Sequence, residues 1–170
     1  MKKLNAQLLS FLLVFATFFL VACGGNTEQN NTDAENVVAG AEGNASEEMT
    51  ADVEKILASY FDLKDALVSS DAGTAMIAAN KLTSNSTGII QESAMSIKTS
   101  TDIAEQRAAF EKLSQQVYDI VKANGGNKAV VYKQFCPMAF ENKGAFWLSS
   151  ASDIKNPYFG DEMLTCGSVQ

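Results

Sequence analysis

Beyond residue 49 the chain carries a regular alternation of apolar and polar positions. Val53, Ile56, Leu57, Tyr60, Leu63 and Leu67 recur every three or four residues, the spacing that lays one apolar stripe along a helix. Thr50 is placed to cap this helix, and Ser69-Ser70-Asp71 to break it. A second, alanine-rich pattern over 71–83 turns Ala75, Ala78, Ala79 and Leu82 to one side. Small side chains there let helices approach closely. "SNSTG" reads as a loop, and Ile90, Ala94 and Ile97 mark a weaker third helix. Thr101 or Asp102 caps a fourth, whose seam runs through Ile103, Arg107, Phe110, Leu113, Val117 and Ile120 until Asn124-Gly125-Gly126 stops it. Met76 and Met95 fall inside these helices as core filler. Four helices joined by short polar loops predict a mainly α fold, an antiparallel up-down four-helix bundle.

After Gly126 the helical period is lost. "KAVVYKQF" (128–135) reads as a strand and "GAFWL" (144–148) as a second, with "CPMAFENK" between them. Pro137 and Asn142 suit a turn, and "NPYFG" (156–160) suits another. An irregular C-terminal segment with short strands, 127–168, therefore completes a domain over 50–168.

The N-terminus is of another kind. Lys2 and Lys3 precede an almost wholly apolar run from Leu8 to Val21, followed by "LVAC". A run of this length is shorter than the ~20 residues of a spanning helix. An apolar residue, a small residue and then cysteine is the pattern of a lipoprotein signal, cleaved before the cysteine. Residues 1–22 are thus expected to be a lipoprotein signal peptide and Cys23 the lipidated residue. The acyl chains anchor the chain to a membrane, each buried CH₂ contributing ~0.8 kcal/mol. Gly24 stands where an inner-membrane retention signal has Asp, so the expected location is the outer membrane, facing the periplasm. Residues 24–49 hold six acids, no bases and few large apolar side chains; such a stretch reads as a disordered acidic tether.

Charge narrows the partners. The whole chain has a net charge of −7, and removal of 1–22 leaves 11 basic and 20 acidic residues, a net −9. Nucleic acid, which needs clustered cations, is excluded as a partner. The chain has no histidine, which removes Ser-His-Asp and Cys-His catalysis and haem attachment through C-x-x-C-H. The chain is expected not to be an enzyme.

What remains is sulfur. Both cysteines of the domain lie in the C-terminal segment, each with a methionine partner: Cys136 with Met138, Cys166 with Met163. Two thiols and two thioethers are soft donors that select Cu(I) or Ag(I) over magnesium, calcium or manganese. Pro137 stiffens the first pair, and Trp147 is a possible cap for a cation through its π-face. The alternative is a Cys136–Cys166 disulfide in an oxidising envelope, closing a loop of ~30 residues and stabilising it by roughly 3–4 kcal/mol. Spacing leaves both open.

"VYKQFCPMAFENKGAFWLSSASDIKNPYFGDEMLTCG" (131–167), together with "YFDLKDALVSSD" (60–71), resembles the domain-of-unknown-function 3347 family. The resemblance extends over about residues 50–168 and is most specific in the last forty. Its C-P-M-A and M-L-x-C-G motifs match Cys136, Pro137, Met138, Ala139 and Met163, Leu164, Cys166, Gly167; its Gly-Ala-x-Trp-Leu-Ser matches Gly144, Ala145, Trp147, Leu148 and Ser149. That family occurs as stand-alone envelope proteins and fused to periplasmic adaptor subunits of copper/silver-type heavy-metal efflux pumps. The resemblance implies metal homeostasis, with an efflux adaptor or transporter as partner.

Overall fold

The computed structural model describes residues 42–124 and 130–170, with side chains from residue 52 onward. Four helices come first: α1 (Glu42–Val68), α2 (Ala72–Asn85), α3 (Gly88–Thr99) and α4 (Ile103–Ala123). Each packs on the next, and α4 returns against α1, so the expected bundle is present. The apolar stripe of α1 from Val53 to Leu67 is buried as its period requires, as are Ala75, Ala78, Ala79 and Leu82 of α2 and Ile90, Ala94 and Ile97 of α3. Across the centre the rings of Tyr60 and Phe110 stack with centroids 5.0 Å apart.

Polar residues define the helix ends. Asp71 caps α2, its carboxylate accepting the Thr74 N–H at 2.9 Å and the Thr74 hydroxyl at 2.7 Å. Asp102 caps α4 by accepting the N–H of Ala104 at 2.7 Å. The expected cap at Thr50 is not a boundary. Helix α1 begins at Glu42, because Ala45, Glu47, Glu48, Met49 and Ala51 all favour helix and an interior Thr opposes it by only ~0.5 kcal/mol. The helix thus takes in the last residues of the stretch read as tether. The remainder of that stretch, the signal segment 1–22 and Cys23 lie outside the described residues. Met95 departs from its assignment to the core: it is 41 % exposed. One residue beyond buried Ala94, it stands about 100° around the helix.

The C-terminal segment is a small antiparallel sheet in the order β2-β1-β3, with β1 (Tyr132–Cys136), β2 (Ala145–Ser149) and β3 (Ser168–Val169). Its register pairs Cys136 with Ala145, Gln134 with Trp147 and Phe135 with Ser168. β1 includes Cys136 at its end, and β3 is too short to have shown in the hydrophobic pattern. The outer edge of β2 is closed by two phenols. Tyr60 of α1 accepts the Leu148 N–H at 3.1 Å, and Tyr158 donates to the Phe146 carbonyl. Burial holds both phenol pKa values above the ordinary tyrosine range. These bonds cover an edge that would otherwise expose unpaired main chain, and they tie the sheet to the bundle.

Candidate functional site

Alternation along β1 turns Gln134 and Cys136 inward, and both are fully buried. After Cys136 the chain emerges at Pro137 and Met138 and then winds left-handed. Phe140, Glu141 and Asn142 all have positive φ, at 50°, 58° and 68°. The turn is closed by the Gly144 N–H bonded to the Ala139 carbonyl at 3.0 Å. Left-handed backbone is unfavourable for residues with a Cβ, and here it is held by what it buries: Ala139 is fully enclosed, and the Phe140 ring meets Tyr158 edge-on at 5.2 Å.

The loop from residue 150 to 167 brings back the second cysteine. Three side chains shape it. The Gln134 amide donates to the carbonyls of Ala151, Ser152 and Asp153 at 2.9, 3.2 and 3.1 Å. Arg107 of α4 donates to the Pro157 carbonyl at 2.9 Å and to the Leu67 carbonyl at 3.2 Å, joining the loop to the end of α1. Asn156, fully buried, donates to the Cys166 carbonyl and accepts the Tyr158 N–H, both at 2.8 Å. Its main-chain N–H bonds the Leu164 carbonyl, also at 2.8 Å. Gly167 then passes directly over the sheet at φ +148°. A Cβ there would lie 3.0 Å from both the Phe135 carbonyl oxygen and the Trp147 ring.

The result is a close sulfur pair. No bond is drawn between Cys136 and Cys166, and their Sγ atoms lie 2.8 Å apart, longer than the ~2.05 Å of a disulfide, although 30 positions separate them in sequence. The Cys166 thiol is raised above the ordinary thiol range, chiefly by the neighbouring Cys136 sulfur and then by desolvation, with the main chain of Met138 opposing the shift. The Cys166 N–H in turn bonds the Met163 carbonyl at 3.0 Å. That bond places Met163 beside Cys166, while Met138 stands two residues beyond Cys136 in the chain. Their side chains differ: Met163 is partly buried, and Met138 is 48 % exposed. Trp147 is fully buried with its indole N–H unpartnered, and stands edge-on to Tyr158 at 5.9 Å. Among the described residues no group of three or more His, Cys, Asp or Glu is placed to hold a metal. Two thiolates at ~2.3 Å from one ion in tetrahedral geometry stand roughly 3.7 Å apart. Seating an ion thus requires the pair to open. Cys136 is fixed by the strand register, and partly buried Cys166 is held through its carbonyl by Asn156.

Of the four sulfur residues that sequence reasoning singled out, the structure brings Cys136 and Cys166 together; that reasoning missed Gln134, Asn156 and Arg107's reach to the loop. A lone polar residue in a strand and an Asn-Pro turn were the available signals. A groove of about 700 Å³ lies elsewhere, between α1 and α2, lined by Asp62, Asp65, Asp71, Thr74, Ile77 and Lys81. Asp62 pairs with Lys81 at 2.8 Å, Asp65 with Lys64 at 2.6 Å, and Asp71 caps α2, so its acids are engaged in structure.

Residues 56–129 match the model of a family described as protein of unknown function (DUF3347). The match spans the helices and stops before β1; the sulfur residues lie outside it. No curated protein and no solved structure matches the chain.

Proposed function

The chain carries a DUF3347 domain over residues 56–129, and from that premise we propose that it is a non-enzymatic envelope lipoprotein holding one soft monovalent cation, Cu(I) or Ag(I). Cys136 and Cys166 supply two thiolates, Met138 and Met163 supply thioethers, and Trp147 lies under the adjacent main chain. The observation that supports this reading most is the convergence of two distant cysteines to 2.8 Å, with the Met163 carbonyl bonded to the Cys166 N–H. Soft sulfur donors select soft ions. Lipidation at Cys23, removal of residues 1–22, an outer-membrane location on the periplasmic side and delivery of the ion to a heavy-metal efflux adaptor or transporter belong to the same proposal. They are supported by the N-terminal pattern and the family resemblance.

Anaerobic titration of the reduced protein with Cu(I) against a chromophoric chelator is expected to give one tight equivalent, lost in the Cys136→Ser, Cys166→Ser double variant. Equal affinity in that variant overturns the reading. The same sulfur contact favours a second reading, in which Cys136–Cys166 is a permanent disulfide and the domain binds only protein. Thiol counting on protein taken from the envelope separates the two. Free thiols with bound metal support the site, whereas no free thiols and resistance to mild reductant support the staple.

A further inference from the structure

We propose that Cys136 and Cys166 form a reversible dithiol–disulfide couple that exchanges with small thiols and disulfides through Cys166, with Cys136 as the buried resolving sulfur. The inference goes beyond both readings above. It needs no metal, and it makes the bond one that opens and closes in the folded domain rather than a permanent staple. Two observations carry it.

The first is that the fold holds the two sulfurs together without a bond. Cys136 ends β1, where the strand register pairs it with Ala145. Cys166 is held through its main chain: its N–H bonds the Met163 carbonyl at 3.0 Å and its carbonyl accepts from Asn156 at 2.8 Å. Two residues further on the chain enters β3, where Ser168 pairs with Phe135 and Val169 with Gln134. The Sγ atoms stand 2.8 Å apart, so an approach of about 0.75 Å brings them to the ~2.05 Å of a disulfide. One framework thus accommodates both states, and neither closing nor opening the bond requires the helices to unfold.

The second is asymmetry. Cys136 is wholly enclosed, whereas Cys166 is only partly buried. Exchange requires a thiolate to reach the sulfur that it attacks, and of this pair Cys166 is the one that solvent reaches.

The steps follow from that order of access. In oxidation, the Cys166 thiolate attacks one sulfur of a small disulfide RSSR, forming a mixed disulfide Cys166–S–S–R and releasing RS⁻, which takes up a proton. Cys136 then loses its proton and attacks the Cys166 sulfur, closing the intramolecular bond and expelling the second RS⁻. Two protein thiols are oxidised and one disulfide is reduced to two RSH. Reduction runs the same steps backwards: an external thiolate attacks Cys166, and Cys136 is the leaving group.

The test uses the full chain, free of metal, in glutathione buffers of set reduced-to-oxidised ratio. Modified positions are assigned by peptide mass mapping, so that Cys23 is counted apart. Wild type is expected to pass between dithiol and disulfide forms in both directions at unchanged helical circular dichroism. Cys136→Ser is expected to stop at a glutathione mixed disulfide on Cys166. Brief alkylation of reduced wild type with iodoacetamide is expected to modify Cys166 at least about tenfold faster than Cys136, a comparison that does not depend on any variant folding. Equal labelling of the two sulfurs overturns the inference, as does a pair that stays reduced in oxidised glutathione. A bond that opens only as the helical signal is lost overturns it in favour of the permanent staple. Because no metal is present, these results are independent of the Cu(I) titration that tests the soft-metal reading.

Discussion

Tyr60→Phe deletes a single oxygen from the point where bundle and sheet meet. The ring remains, and with it the stack on Phe110 at 5.0 Å, so the change isolates the hydroxyl. Two groups lose a partner. Ser114 Oγ, at 2.7 Å, can rotate to a carbonyl of the preceding helical turn, and its loss is limited to a net hydrogen bond of about 0.5–1.5 kcal/mol. The Leu148 N–H, at 3.1 Å, has no such recourse: it points off the outer edge of β2, and Leu148 is fully buried. An unsatisfied buried donor costs roughly 1–3 kcal/mol. The expected destabilisation is about 2–4 kcal/mol, which urea unfolding followed by circular dichroism reads as a lowered midpoint at constant slope. A double-mutant cycle with Ser114→Ala should show coupling of about 0.5 kcal/mol or more, since the two hydroxyls share one bond. Because β2 pairs with the strand carrying Cys136, thiol labelling of reduced Tyr60→Phe should also be faster than in wild type. A loss below about 0.5 kcal/mol would refute the reasoning that this phenol closes the sheet edge.

Gly160→Ala should destabilise by about 2–4 kcal/mol in thermal melts. The position has φ +58°, and its new Cβ would meet Ser70 Oγ, Arg107 Nη2 and the Val68 carbonyl, combining left-handed strain with overpacking. Alkaline pH should destabilise the reduced protein along a predictable course. Tyr60, Tyr158 and Cys166 all have pKa values raised in the folded state, by burial for the phenols and by the Cys136 hydrogen bond for the thiol. A group with a raised folded pKa contributes stability that is complete below its unfolded pKa and is lost as pH rises towards the folded value. The loss should begin in the ordinary thiol range and steepen above the ordinary phenol range near pH 10, by up to ~1.4 kcal/mol per pH unit for each phenol. Melting temperature measured from pH 8 to 11.5 should fall accordingly, with a shallower slope above pH 10 in Tyr60→Phe.

The helices were legible because burial there follows a local period: once Ile90, Ala94 and Ile97 set the face of α3, every neighbour's exposure is fixed by the 100° step. Met95 shows what apolar character alone misses, since phase rather than hydrophobicity decided its position. Tyr60 was readable as a core residue, but its hydroxyl was not readable as a cap for β2, because the strand it serves lies 88 positions away. Arg107 is similar. Its place on the seam followed from spacing, while its purpose depends on carbonyls of Leu67 and Pro157 that only the fold brings within reach. The four sulfur residues stood out by chemistry. Their supports, Gln134 and Asn156, did not, because a buried amide and a turn asparagine look ordinary until their partners are known.

Those supports show how a helical domain comes to hold two distant cysteines together. A three-stranded sheet whose third strand is Ser168–Val169 is marginal by itself, and a left-handed turn beside it adds strain. Neither can hold Cys136 and Cys166 in register without external anchoring. The anchors come from the bundle: Tyr60 fixes β2, and thereby the strand that ends in Cys136. Arg107 ties the loop to α1, and Asn156 carries that restraint through the loop to the Cys166 carbonyl. The helices within the matched stretch, 56–129, thus brace a cysteine pair lying outside the match. Changes at the bundle–sheet junction should therefore reach the sulfur pair before they unfold the helices.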